Sequence, residues 1–376
     1  MRTGRLRAGA GLVAAAAILL GACGGSSDDA GDGSPGSSGT TNDSAAAEVK
    51  TLLSGDVKFP FPTDKVDPGT HNVAVIASGL ASPGPTILAN NAMDAIKALG
   101  WTADAPGDGK FAPTTQAQLI EKAVLDKVEG IILVSVTPEA VDSAIKAAQA
   151  ADIPIVCALC GPNLSDGIVG VGNDGDLAGK AQAAYAASKA KAGDTVVVYQ
   201  NTEFKASEQQ MKSAAARVKE LCPKCNVETP SLLLTESVQP NAPIFTSLLN
   251  KNPAGKISSV IVPFDTPASV LSNAAAQLGR NDFNVIGHGG LSPFVDMVGS
   301  GTPAVAKADV LISTPYYGWA SVDELVRSIA GVDNWEANKM PVGLVDKSTY
   351  GNYPKGLPFV LPKFDYEAKF KELWGK

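Results

Sequence analysis

The 376-residue chain sets 31 Lys+Arg against 38 Asp+Glu, a formal net charge of −7, and holds no cluster of basic residues. That balance argues against capture of nucleic acid or electrostatic attraction to an anionic membrane surface. With only two histidines, a histidine-centred hydrolase has few ways to be built.

Arg2, Arg5 and Arg7 precede an apolar run from Ala8 to Leu20, which is shorter than the roughly 20 residues of a membrane-spanning helix. Leu20-Gly21-Ala22-Cys23 then matches the bacterial lipobox. Residues 1–22 are expected to be a lipoprotein signal peptide, with Cys23 lipidated. The acyl chains would hold the protein on the outer face of the cell membrane, or in the periplasm. Gly24 to about Ala47 is rich in Gly, Ser, Asp and Thr, and residues 23–70 are expected to form a flexible tether.

Beyond it, short apolar runs alternate with amphipathic stretches. Asn72–Ala77 predicts a buried strand, and Gly84–Leu99 a helix striped by Ile87, Leu88, Ala92, Ile96 and Leu99. Strand Trp101–Ala105, helix Thr114–Asp126, strand Gly130–Ser135, helix Pro138–Ala150 and strand Ile153–Val156 follow. After a short strand at Ile168–Val171 the pattern restarts with helix Asp174–Lys191, strand Thr195–Tyr199, helix Ala206–Leu221 and strand Asn226–Glu228. Helix Ala242–Asn250, strand Ser258–Val262, helix Thr266–Leu278 and strand Asn284–Ile286 continue it. A helical turn at Pro293–Gly299, strand Ala304–Ile312, helix Pro315–Ala330, strand Val342–Asp346 and helix Asp365–Leu373 complete the chain. Uninterrupted apolar strands between helices predict an α/β fold whose parallel sheets are covered on both faces, in two units.

Apart from Cys23, the cysteines form two Cys-x-x-Cys pairs, Cys157/Cys160 and Cys222/Cys225. Outside the cytoplasm two local disulfides are the expected state, with a Cys₄ zinc site or a thioredoxin-like redox role as alternatives. The pairs fall in different predicted units, so no metal is expected. A disulfide at this spacing needs a turn, which places the end of the Ile153 strand near Val156. No Gly-x-Gly-x-x-Gly, Gly-Lys-Ser/Thr loop or Gly-x-Ser-x-Gly elbow stands at a strand end, so neither a cofactor nor an enzymatic activity is expected. His71 reads as a surface residue. His288, in Gly287-His288-Gly289-Gly290, sits where glycines let something approach the backbone.

Several segments together resemble a known family. They are Gly130-Ile-Ile-Leu-Val-Ser135 with Pro138-Glu-Ala-Val141, Ala151-Asp-Ile-Pro-Ile-Val156, Val171-Gly-Asn-Asp174 with Ala178-Gly-Lys180, Val285-Ile-Gly287, and Tyr317-Gly-Trp-Ala-Ser321. In this order, behind a lipobox, they are similar to type I periplasmic-type substrate-binding proteins of ABC importers, the ribose/galactose-like branch. The resemblance covers about Asn72 to Asp346. It implies two Rossmann-like lobes joined by a three-segment hinge, with a small molecule held between them and delivered to an ABC permease. It places the crossings near Asn173–Asp174, Ser313–Pro315 and Val345–Asp346. The lobes would be 71–173 plus 315–345, and 174–314 plus 346–376, in a monomer.

The sugar-binding pattern of that family is largely replaced. Ser78, Gly79 and Leu80 stand where an Asn and aromatic residues usually follow the first strand, and Cys160-Gly161 where Asp-Arg often ends the fourth. Glu208, Gln209 and Gln210 occupy the turn that an Arg usually opens. Phe264-Asp265 replaces Asn-Asp, and His288-Gly289-Gly290 replaces Phe-Asp-Gly. The residues expected to contact ligand are Ser78, Leu80, Ser135, Cys160, Phe204, Gln209, Phe264, Asp265, His288, Gly289 and Tyr316, with Tyr317 also near the cleft. A site stripped of groups for sugar hydroxyls favours a flatter, less hydroxylated ligand. The leading expectation is thus a lipid-anchored binding protein for import. Its alternatives are a ligand sensor for a membrane signalling receptor, a conventional sugar binder, or a thiol protein using Cys157/Cys160.

Overall fold

The computed structural model describes residues 40–161, 164–354 and 359–376; the expected signal peptide and Cys23 lie outside the described residues. The first sheet contains β1 (Val73–Ala77), β2 (Gly107–Asp108), β3 (Gly130–Val134), β4 (Ile155–Ala158) and β5 (Ile168–Val171) in the order β2-β1-β3-β4-β5. Every pairing in it is parallel. The second contains β6 (Thr195–Val198), β7 (Asn226–Glu228), β8 (Ile257–Ile261), β9 (Asn284–His288), β10 (Ala306–Leu311) and β11 (Gly343–Asp346), in the order β11-β10-β9-β8-β6-β7. Only β11 runs antiparallel.

The helices are α1 (Thr40–Leu53), α2 (Pro83–Leu99), α3 (Pro113–Leu125), α4 (Asp142–Ala150), α5 (Gly175–Lys189), α6 (Lys205–Leu221), α7 (Leu234–Ser237), α8 (Pro243–Lys251), α9 (Asp265–Gln277), α10 (Phe294–Ser300), α11 (Thr314–Ala330) and α12 (Tyr366–Leu373). Among the described residues no helix is long and apolar enough to cross a membrane. The α/β architecture with two parallel-dominated sheets is the predicted one. Its cores are the predicted apolar runs: all five residues of β3 are buried, so the strand takes helices on both faces. In each lobe one long helix reaches another through a glycine. A Cβ at Gly179 of α5 would stand 2.1 Å from the Gln210 carbonyl of α6, and one at Gly318 of α11 would stand 2.7 Å from the Ala92 amide of α2.

Several expectations are corrected. Trp101–Ala105 is not a strand: it makes one bridge, Asn72 to Thr102, and the ladder with β1 forms later, Ile76 opposite Gly107. Strand β4 runs to Ala158, through Cys157; the turn comes at Leu159, whose φ is 56°. Pro138–Val141 is a separate 3₁₀ turn before α4. The third crossing is not at Val345–Asp346, because β11 already pairs in the second sheet. The chain crosses instead after α11, where Gly172 N donates to Ala337 O and Met340 N to Gly172 O, tying that crossing to the first.

The tether and the carboxyl end also differ from expectation. Thr40–Leu53 is helical and packs on α5, α6 and β11, with Arg217 of α6 paired to Glu48 at 2.8 Å. The following residues then cross to the other lobe. Tyr316 of α11 donates its hydroxyl to Pro60 O, Phe61 packs on Phe370, and Val66 N donates to Leu373 O. Residues 346–376 do not stay with the second lobe either: α12 packs on α11 and α2, and Trp374 stacks on Trp319 with centroids 5.8 Å apart. Ser313 Oγ, at the second crossing, donates to Val360 O. Two further segments therefore span the lobes beside the three inner crossings.

Candidate ligand-binding site

The carboxyl ends of the two sheets face each other across a cavity of about 390 Å³, the position at which open α/β sheets bind ligands. The lobes meet at its rims, Gly161 against Lys205 and Ala206, and Gly84 against Leu291. Three of its lining residues, Phe111, Ser135 and Leu159, are non-glycine residues with φ of 54°, 55° and 56°. Such backbone costs about 1–3 kcal/mol per residue and needs support. Each has it: Phe111 N donates to Ser78 O, Ser135 N to Ala158 O and Leu159 N to Val171 O, extending the sheet past the strand ends.

Nine of the eleven residues expected at the ligand line this cavity: Ser78, Ser135, Cys160, Phe204, Gln209, Phe264, Asp265, His288 and Gly289. Leu80 and Tyr316 do not. Leu80 turns its amide to Asp108 Oδ1 and packs on the first-lobe core, while Tyr316 is fully buried between Phe59, Tyr366 and Phe370. Tyr317 is likewise core. Phe111 takes a place sequence reasoning left empty. It follows the two-residue strand β2, and its ring lies over Gly79, where a Cβ would come within 2.6 Å of it.

The walls are largely apolar. Phe204 and Phe264 precede α6 and α9 and meet edge to face at 5.8 Å. Asn201 accepts from Phe204 N, and Glu203 accepts from Leu234 N and Asn201 Nδ2, which pins that corner. Cys157 and Cys160 lie at disulfide distance on the opposite wall, with Cα atoms 5.7 Å apart, as do Cys222 and Cys225 away from it at 5.3 Å.

Polar side chains complete the lining, among them Ser135, Asn173, Ser207, Gln209, Thr266 and Asn338. Ser78 Oγ is buried and makes no hydrogen bond within the protein. Burial pushes His288 down to about 4, so it is neutral, and its ring bonds the Pro263 carbonyl while Nε2 is left without a partner. That hydrogen bond makes Nε2 an acceptor. Gln210 donates to Gln182 Oε1, and Gln182 Nε2 bridges Val262 O and Gly287 O, locking the ends of β8 and β9. Asp174 caps α5 through Asp176 N. Lys339 lines the rim but pairs with Glu336, leaving no unpaired Lys or Arg among the lining residues. Among the described residues no cluster suited to a metal ion occurs.

The residues matching the family of periplasmic binding protein domains run from 73 to 332. The chain belongs to that family. Its fold is shared with an ABC transporter solute-binding protein from Mycobacterium smegmatis with bound glycerol, 21% identical, TM-score 0.69, over 78% of this chain and 100% of that one. A solute-binding protein from Agrobacterium vitis with bound allitol is 19% identical, TM-score 0.67, over 75% and 97%. A sugar ABC transporter protein from Yersinia enterocolitica is 15% identical, TM-score 0.70, over 84% and 99%. No curated protein matches. The family is one of extracytoplasmic solute-binding proteins.

Burial also gives this family member a pH signature. It pushes Asp265 up to about 7, Asp309 well above its ordinary value, and Glu324 of α11 up to about 8. Unfolded, all three ionise near 4. The folded state holds protons there that the unfolded chain lacks. Their stabilisation is full below about pH 4 and is lost as pH rises through 7 and 8. His288 acts oppositely, but only between about 4 and 6.5. The melting temperature should therefore fall between about pH 6.5 and 8 in calorimetric scans at fixed ionic strength. A flat or rising profile would mean that these carboxyls ionise as they do in water.

Proposed function

We propose that the protein is the lipid-anchored binding component of an ABC importer, held at Cys23, and that its ligand is flatter and less hydroxylated than a simple pentose or hexose. The observation that carries the ligand class is the wall of the cavity: Phe111, Phe204, Phe264 and the Cys157/Cys160 pair, without an arginine among the lining residues. Both cysteine pairs are taken to be oxidised, and the first to stiffen one wall. A hydroxyl-rich ligand would find no arginine to donate to it here, and each hydroxyl left unpaired against the aromatic wall costs about 1–3 kcal/mol. Closing of the lobes about the crossings buries the ligand and forms the surface a permease reads.

The relatives with bound glycerol and allitol favour a second reading, a polyol or sugar binder. Native mass spectrometry of the mature protein, with thermal-shift screening, separates the two. Aromatic or heterocyclic compounds are expected to raise the melting temperature and ribose, galactose, glucose and allitol to leave it unchanged. A large stabilisation by one of those polyols would replace the first reading with the second.

A further inference from the structure

On the second-lobe side of the cavity two carboxyl groups face each other with no cation beside them. Asp265, the first residue of α9, lines the cavity and is 3% exposed. Asp309, on β10, is fully buried and does not reach the cavity. Each gives one oxygen to the loop after β9: Leu291 N donates to Asp265 Oδ2 at 2.7 Å, and Gly290 N to Asp309 Oδ2 at 3.1 Å. The two remaining Oδ1 atoms are buried and find no other donor, and the carboxyls hydrogen-bond one another. That bond requires a proton, because two carboxylates in buried contact cannot both ionise.

We propose that Asp309 is a positioning residue for the ligand cavity: by holding a proton against Asp265 it fixes that carboxyl and the Gly289–Leu291 loop that lines the site. The neighbouring elements supply no counter-charge. His288 of β9 is neutral, and Gln182 and Tyr185 of α5 are spent on main-chain carbonyls. Asp346 of β11 binds Ser348 and Thr349, and Asp296 of α10 binds Ser292 and Tyr350. Burial raises both acids, Asp265 to about 7 and Asp309, with the Asp265 carboxyl beside it, well above its ordinary value. The cavity floor is therefore uncharged in mild acid and gains negative charge when the pair gives up its first proton, the second staying between the two carboxyls. A ligand donating N–H or O–H groups to Asp265 is held more strongly in the charged state.

The inference rests on the cavity being the ligand site, but its test needs no ligand, so a failed ligand screen would not count against it. Aspartate-¹³C-labelled wild-type protein and the Asp309→Asn variant would be followed by infrared spectroscopy from about pH 5 to 9. The wild type should show a carboxylic-acid band that loses part of its intensity near pH 7 and keeps the rest above it. In Asp309→Asn the amide donates to Asp265, so that band should be gone already in mild acid. Hydrogen exchange at Gly290 and Leu291 should match wild type in Asp309→Asn and be about tenfold faster in Asp309→Ala. Absence of the band in wild type, or an unchanged pH profile in Asp309→Asn, overturns the proposal. Should Asp309→Ala fail to fold, the wild-type titration and the Asn variant decide it.

Discussion

Asp323→Ala is expected to cost about 3–5 kcal/mol of stability, the range for removing one partner of a buried ion pair. Asp323 lies on α11 with no exposed surface and accepts from Arg327 Nε at 2.7 Å, Trp335 Nε1 at 2.9 Å and Trp374 Nε1 at 2.8 Å. Without it, a buried guanidinium and two indole N–H groups lose their acceptor together. Glu324 does not step in. It is held neutral by burial and is engaged by Asn334 Nδ2 and Trp335 N. The damage reaches beyond α11, because Asp323 binds the third crossing through Trp335 and α12 through Trp374. Arg327 carries the same node to the amino-terminal segment, donating to Asp64 O. Denaturant unfolding monitored by tryptophan fluorescence checks it. A loss under about 1 kcal/mol would show that solvent reaches the node. Asp323→Asn, which keeps one acceptor, should fall between wild type and Asp323→Ala.

That node also shows where the sequence stops being legible. Most of the parallel strands were readable because they are runs of apolar residues between turn formers, and β3 or β5 needs nothing else to be recognised. The outer segments carry no such signal. Helix α1 buries Ala45 and Val49, and does so only because α5 offers a face of alanines. Its own stretch, Ala-Ala-Ala after Gly/Ser/Asp, therefore reads as tether. Tyr316 was misplaced for the same reason, since its hydroxyl partner belongs to Pro60, 256 residues away. Asp323 and Glu324 look like an ordinary solvated helix pair until α12 covers them.

Within the cavity the strand ends were enough to locate Ser78, Ser135, Phe264 and His288, because parallel strands deliver their carboxyl ends to one side. Phe111 was missed because β2 is two residues long and has no periodicity to read. The acid pair was missed because Asp309 sits in mid-strand among apolar residues, where only the fold shows that Asp265 faces it.

The aromatic corner should account for most of the affinity. Phe264→Ala is expected to weaken capture of the molecule recovered by native mass spectrometry about 10–100-fold, as truncation of a central aromatic contact does. Phe204→Ala should do nearly as much, while the double variant loses less than the sum, because the two rings support each other at 5.8 Å. Both residues are half-buried at helix starts, outside the sheet cores, so the melting temperature of the unliganded protein should move little. Titration calorimetry gives the affinities, and thermal scans without ligand control for folding. Phe264→Tyr is the sharper probe. It keeps the ring area and adds a hydroxyl at the cavity, so a ligand that binds by stacking tolerates it and one that fills the corner to contact does not. Unchanged affinity in the double alanine variant would remove the aromatic wall from the ligand surface, and would leave the acceptors of the floor, Ser78, Asp265 and His288, as the groups that select the ligand.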